Sequence, residues 1–176
     1  MSKATFATVW LDGCSGCHMS FLDIDEFLLD LADKIELVYS PLVDNKDFPE
    51  MVEVTLVEGA VSNADDYEKI QYIRQHTRTL ISLGDCAVTG NVPSMRNPFF
   101  VDEVIDRAYN ENVTINPQVP HIGVPELRPW VVPVHTIVPV DVYVPGCPPS
   151  AALIKHVLTE LLEGRKPDLS DIARFG

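Results

Sequence analysis

Cys14, Cys17, Cys86 and Cys147 are all the cysteines in this chain, and their placement says more than their number. Each stands beside or within two residues of glycine, shortly after a β-branched run: Leu11-Asp-Gly-Cys-Ser-Gly-Cys, Leu83-Gly-Asp-Cys and Val144-Pro-Gly-Cys-Pro-Pro-Ser. Thiolates bind soft metals, and glycine lets backbone N–H groups approach a bulky group and point at its sulfurs. A thiolate at a strand-to-helix turn is also favoured by the positive end of the helix. Four readings compete. Scattered thiols could simply be small buried apolar side chains. A thioredoxin-like pair at Cys14 and Cys17 would leave Cys86 and Cys147 idle. Structural zinc typically takes two closely spaced pairs and holds a module too small to fold alone. A [4Fe-4S] cluster needs four thiolates in a glycine-lined pocket, which this sequence provides, and it is the reading the spacing favours.

Two other residues belong to the same neighbourhood. Glu58, in Val57-Glu-Gly-Ala-Val, would end a strand on the edge that carries the cysteines. A buried carboxylate there could tune a cluster or relay protons, or it could be a capping acid at a helix start. His18 follows Cys17 and could donate to a cluster sulfur or be an ordinary histidine at a helix start. Trp10, Trp130, His121 and His135 fit partner contacts and packing equally well. There is no G-x-G-x-x-G after the first strand and no G-x-x-x-x-G-K-[ST], so NAD and nucleotide phosphate have no recognisable site here. FMN at a flavodoxin-like edge stays as an alternative, although its phosphate turn would have to share space with Cys14 and Cys17.

Something must bring three remote stretches together. Short apolar runs at Thr5 to Leu11, Ile35 to Tyr39, Glu53 to Val57, Thr79 to Leu83 and Val140 to Val144 alternate with helical patterns. That alternation is the signature of an α/β fold, here flavodoxin-like, with a largely parallel sheet and helices on both faces. In such a sheet the strand ends share one edge, so all four thiols should converge. Phe21, Ile24, Phe27, Leu28 and Leu31 form one helical stripe; Asn63 caps a helix from about Ala64 to His76; Val101 to Tyr109 is a short helix; and Ser150 opens a last helix that Gly164 stops. The stretch Pro117 to Pro149 holds nine of the 14 prolines and predicts stiff, extended, exposed backbone, either a rigid connection or a docking surface.

Composition narrows the setting. With 176 residues the chain 1–176 is expected to form one domain. Its formal charge of −13 would repel phosphate backbones and anionic lipid, so nucleic-acid and membrane-surface roles are not expected. No run of about 18 apolar residues could span a bilayer. The start, Met1 to Thr8, carries Lys3 and no long apolar stretch, so it does not read as a secretory signal and a cytoplasmic protein is expected.

The segments Trp10-Leu-Asp-Gly-Cys-Ser-Gly-Cys-His-Met-Ser-Phe-Leu-Asp, Val57-Glu-Gly-Ala-Val, Leu83-Gly-Asp-Cys-Ala and Val142-Tyr-Val-Pro-Gly-Cys-Pro-Pro together resemble the small subunits of [NiFe] hydrogenases and their relatives. The resemblance runs over nearly the whole chain and is strongest to the short small subunits of cytoplasmic NAD-reducing, bidirectional enzymes. It implies that Cys14, Cys17, Cys86 and Cys147 hold one [4Fe-4S] cluster next to a partner's nickel-iron site, with Glu58 close by. It also implies a large subunit that carries Ni-Fe and diaphorase subunits that carry FMN, further Fe-S clusters and the NAD site. The chain would then be an electron-transfer subunit, not catalytic alone, since the family's Ni-Fe ligands belong to the large subunit. A hydrogenase serving another carrier, such as a deazaflavin or a heterodisulfide reductase, is the runner-up within the family. A zinc-stabilised flavodoxin-like interaction module is the alternative outside it. Three departures stand out: there are no cysteines for medial and distal clusters, the cysteines adjacent in the quinone-reductase relatives are here split as Cys-Ser-Gly-Cys, and Gly13 and Met19 replace acids that often flank the CxxC.

Overall fold

The computed structural model describes residues 3–175. Five parallel strands form the central sheet: β1 (Ala4–Trp10), β2 (Ile35–Tyr39), β3 (Val52–Glu58), β5 (Thr77–Leu83) and β7 (Val142–Val144), in the order β2-β1-β3-β5-β7. This is the flavodoxin-like order the alternating pattern predicts. Between the strands run α1 (Gly16–Leu22), α2 (Phe27–Ala32), α3 (Ala64–Gln75), α4 (Asp85–Thr89) and α5 (Val101–Asp106), and α6 (Ala151–Leu162) closes the fold.

Successive strand residues point to opposite faces, so each strand feeds two cores. Phe6 of β1, Leu56 of β3 and Ile81 and Leu83 of β5 join Phe21, Leu31, Ile154, Val157 and Leu158 on the face covered by α1, α2 and α6. Val9, Val57 and Leu80 join Ile70 and Ile73 of α3 and Ala87 of α4 on the other. Strands covered on both sides need apolar residues on both faces, as Leu56 and Val57 of β3 and Leu80 and Ile81 of β5 provide.

Both predicted caps form. The Asn63 side chain accepts from the Asp66 N–H at 2.9 Å, and Ser150 Oγ accepts from the Leu153 N–H at 3.2 Å. Gly164 follows α6 with φ +72°.

Two expectations need correction. The first helical stripe is not one helix. It breaks at Asp23 to Glu26, where Asp25 takes φ +54° and the hydrogen bonds tighten to three-residue spacing, as in Asp25 N–H to Leu22 O at 3.1 Å. A short polar side chain tolerates the left-handed conformation, and the break lets Ile24 and Leu31 both stay buried. The proline-rich stretch is not uniformly exposed either. It contains β6 (Leu127–Val132), which pairs antiparallel with β4 (Val61–Asn63), and Val131, Val134 and Val138 are buried, the last two in the second core. Proline is tolerated there because β6 is an edge strand. Its outer edge is satisfied by a side chain: Asn97 donates to Val131 O at 2.9 Å and accepts from the Val131 N–H at 2.8 Å.

Candidate functional site

Strand order decides where chemistry can sit. The chain runs from β1 to β2 on one side and returns to β3 on the other, so the switch in strand order falls between β1 and β3, at the edge where open α/β sheets build their sites. Trp10 and Glu58, the last residues of those strands, are paired neighbours. Cys14 and Cys17 follow β1, Cys86 follows β5, and Cys147 follows β7, with β3 and its Glu58 filling the gap between them.

The loops after β1 and β3 are zipped together. Leu11 donates to Glu58 O at 2.9 Å, and Asp12 and Ala60 exchange backbone bonds at 3.1 and 2.7 Å. Gly59 makes this approach feasible: at φ +96°, a Cβ there would lie 2.8 Å from Asp12 O. Glu58 itself is buried. It accepts from the backbone N–H of Cys17 at 3.4 Å and of His18 at 2.9 Å, and its Oε2 also meets His18 Nδ1. The carboxylate therefore anchors the first turn of α1, which carries Cys17. Its contacts thus combine a hold on the helix start with a pairing to the His18 ring.

Cys86 and Cys147 are locked to each other through the backbone. Gly84 donates to Val144 O at 2.8 Å, Asp85 donates to Gly146 O at 2.9 Å, and Gly146 donates back to Asp85 Oδ1 at 2.7 Å. Ser20 of α1 donates to Pro149 O at 2.5 Å, joining the CxxC helix to the loop that carries Cys147. Asn91, just past α4, donates through Nδ2 to Cys147 Sγ at 3.4 Å, and the Gly16 N–H lies 3.4 Å from Cys14 Sγ.

The four thiols lie close enough to feel one another's charge. Burial is the main reason the Cys17 thiol is pushed far above its ordinary value; Glu58 adds to it, and so do Cys86, Cys14 and Cys147. Cys86 is pushed up to about 11, again by burial first and then by Cys147. The neighbouring thiolates raise Cys17 and Cys86 because like charges repel at short range, so ionising these two calls for a positively charged group beside them. Cys17 is buried, Cys86 is half-buried, and Cys14 and Cys147 are exposed.

The pocket around the sulfurs is lined tightly. A Cβ at Gly84, which has φ +83°, would lie 2.2 Å from Cys17 Sγ, and one at Gly16 would lie 3.2 Å from Cys14 Sγ. Among the described residues no set of three or more His, Cys, Asp or Glu side chains is arranged to hold a single metal ion. The fit to a larger inorganic core rests instead on the four soft donors, the glycines that keep carbon away from them, and the N–H groups aimed at sulfur.

His18 lies in the first turn of α1. Its Nδ1 is engaged by Glu58 and not by a sulfur, while Nε2 is buried without a hydrogen-bond partner. Trp10 and Trp130 are exposed, and His135 packs edge-on against Tyr143. Three site residues escape the sequence reading. Asp85 is signalled only by its place between Gly84 and Cys86; Ser20 and Asn91 act on partners 129 and 56 residues away, and no local pattern marks them.

The chain is similar to known proteins over nearly its whole length. Residues 14–161 match the family model described as NADH ubiquinone oxidoreductase, 20 Kd subunit. The chain is 42% identical to the NAD-reducing hydrogenase HoxS subunit delta of Cupriavidus necator, over 98% of this chain and 86% of that protein. It is 36% identical to a subunit of the vhu F420-non-reducing hydrogenase of Methanocaldococcus jannaschii, over 92% of this chain but only 57% of that one. A chain in a crystal structure of NAD+-reducing [NiFe]-hydrogenase in the H2-reduced state superposes with a TM-score of 0.95 at 38% identity, covering 99% of this chain and all of that one. A [NiFeSe]-hydrogenase chain at 19% identity and a TM-score of 0.61 shares the fold.

Proposed function

This chain belongs to the NADH ubiquinone oxidoreductase 20 Kd subunit family and is an oxidoreductase subunit, and from that premise we propose that it is the electron-transfer small subunit of a cytoplasmic NAD-reducing [NiFe] hydrogenase. In this reading residues 1–176 work as one unit. The unit stands between a large subunit bearing the nickel-iron site and diaphorase subunits bearing FMN, further clusters and the NAD site.

The observation that carries the reading is the approach of Cys14, Cys17, Cys86 and Cys147 to one another along the carboxyl-end edge of the sheet. These four residues would hold one [4Fe-4S] cluster, and such a group supplies one-electron transfer. The protein supplies the rest. Glu58 fixes the start of α1 and so the position of Cys17. Asp85 fixes the loop of Cys86 against that of Cys147. Apolar packing from Leu83 and Val144 shields the inner side of the site from water, while Cys14 and Cys147 open outward, where a partner subunit would cover them. The loop of Cys14 and Cys17 fills the turn after β1 where a flavodoxin-like fold would hold a flavin phosphate, which favours the cluster over FMN at this edge.

Replacing Cys86 with Ala in the assembled enzyme tests the reading. H2-dependent NAD reduction is expected to fall to background while NADH-driven dye reduction by the diaphorase persists, and wild-type chain is expected to carry about four irons with acid-labile sulfide. Survival of both activities would overturn the assignment. One zinc and no sulfide would move the chain to the zinc-stabilised alternative.

A further inference from the structure

We infer that Asn91 sets the redox potential of the iron–sulfur site by donating a hydrogen bond to the sulfur of Cys147. The inference rests on the proposed binding of a cluster by the four cysteines.

Three observations carry it. The first is the contact: Asn91 Nδ2 lies 3.4 Å from Cys147 Sγ, an ordinary distance for an N–H to sulfur hydrogen bond. The second is how α4 is used. Cys86 lies in its first turn, Gly90 closes it by donating to Cys86 O at 3.0 Å, and Asn91 follows directly, so this short helix carries one cysteine and places Asn91 against another.

The third is the backbone of Asn91. Its φ is +29°, following φ +90° at Gly90. That conformation is held in place: the Asn91 carbonyl accepts from Ser94 Oγ at 2.7 Å and from the Ser94 N–H at 3.1 Å, and the same N–H also reaches Gly90 O at 3.1 Å. Glycine would satisfy a positive φ with the least strain. Asparagine tolerates it too, and adds a carboxamide that glycine lacks. A strained residue that persists because its surroundings fix it is a mark of function, and here the fixed side chain ends on a cysteine sulfur.

The consequence is electrostatic. Reduction adds one electron, and the extra negative charge spreads onto the cysteine sulfurs. A fixed N–H dipole at sulfur stabilises the reduced state more than the oxidised state, so the potential rises. The effect acts through the protein's own side chain and can be removed without touching a ligand.

The test uses the assembled enzyme with Asn91→Gly and Asn91→Asp. N91G keeps the backbone conformation and removes the donor; N91D keeps the shape but presents only oxygen acceptors. Iron and sulfide per chain are counted first, and the midpoint potential is then measured by titration monitored by electron paramagnetic resonance. The expected order of potentials is wild type highest, N91G lower and N91D lowest, with iron content and melting temperature of N91G close to wild type. An N91G potential equal to or above wild type at full iron content overturns the inference. Loss of the cluster or of the fold from both variants also overturns it, because Asn91 would then be a structural residue. Wild-type chain without iron and sulfide would instead fail the proposed function, so the two failures are distinguishable.

Discussion

Gly84→Ala tests the packing of the site against a clear steric limit. At Gly84, φ is +83° and ψ is 160°, a region open essentially to glycine alone, and placing alanine there costs about 1–3 kcal/mol in backbone strain. The new Cβ would stand 2.2 Å from Cys17 Sγ, where nonbonded atoms need about 3.5–4.0 Å, so the sulfur or the strand end must move by more than about 1 Å. Cys17 is buried beside Glu58, so overpacking adds a further ~1–3 kcal/mol. Together these give about 2–6 kcal/mol, or a fall in melting temperature of about 4–24 °C at 2–4 °C per kcal/mol for a domain of this size. The displaced sulfur should also lower iron retention well below about four per chain. Gly123→Ala is the control. Gly123 also has positive φ, at +72°, but a Cβ there meets nothing within 4 Å, so only backbone strain remains and iron content should hold. The assay is differential scanning calorimetry with iron and sulfide counts on the same preparations. A G84A variant that melts with G123A and keeps its iron would refute the proposed position of Cys17.

Glu58→Gln places an amide donor where the N–H groups of Cys17 and His18 and the His18 ring already converge on a carboxylate. One buried donor loses its acceptor, which costs about 1–3 kcal/mol, so the melting temperature should drop by about 2–12 °C; an unchanged melting curve would contradict the anchoring role. Asp66 supplies a pH signature away from the sulfurs. Burial raises its carboxyl above 3.8, outweighing the lowering effect of bonds from Ser62. Because the folded value exceeds the unfolded one, this contribution to stability is fully present below pH 3.8 and is lost as pH rises through the raised value. Chemical denaturation across that window should show the slope in wild type and its absence in Asp66→Asn; parallel curves would refute it.

Much of the fold could be read from the sequence because the signals were local. Near-continuous apolar runs marked β1, β2, β3 and β5, and the residues Asn63, Ser150 and Gly164 marked helix ends, since caps act within three or four residues. The break between α1 and α2 was hidden because the apolar stripe continues across it, and only packing selects the left-handed Asp25. The ribbon of β4 and β6 was hidden because three residues carry no period, and because Pro129 argues against a strand until an edge position is known.

The site divides in the same way. Sequence alone determined the candidate donor set: four cysteines, each flanked by or near glycine and each placed after a strand, with Glu58 at the end of another. Parallel pairing then dictates that such residues meet at one edge. Only the tertiary structure decided what holds them there. Glu58 grips α1 from 40 residues away, Asp85 clasps Gly146 across 61, Ser20 reaches Pro149 across 129, and Asn91 reaches Cys147 across 56. The reason is physical: an apolar period or a cap is written in neighbouring residues, whereas a hydrogen bond between distant loops exists only once the sheet has fixed where those loops lie.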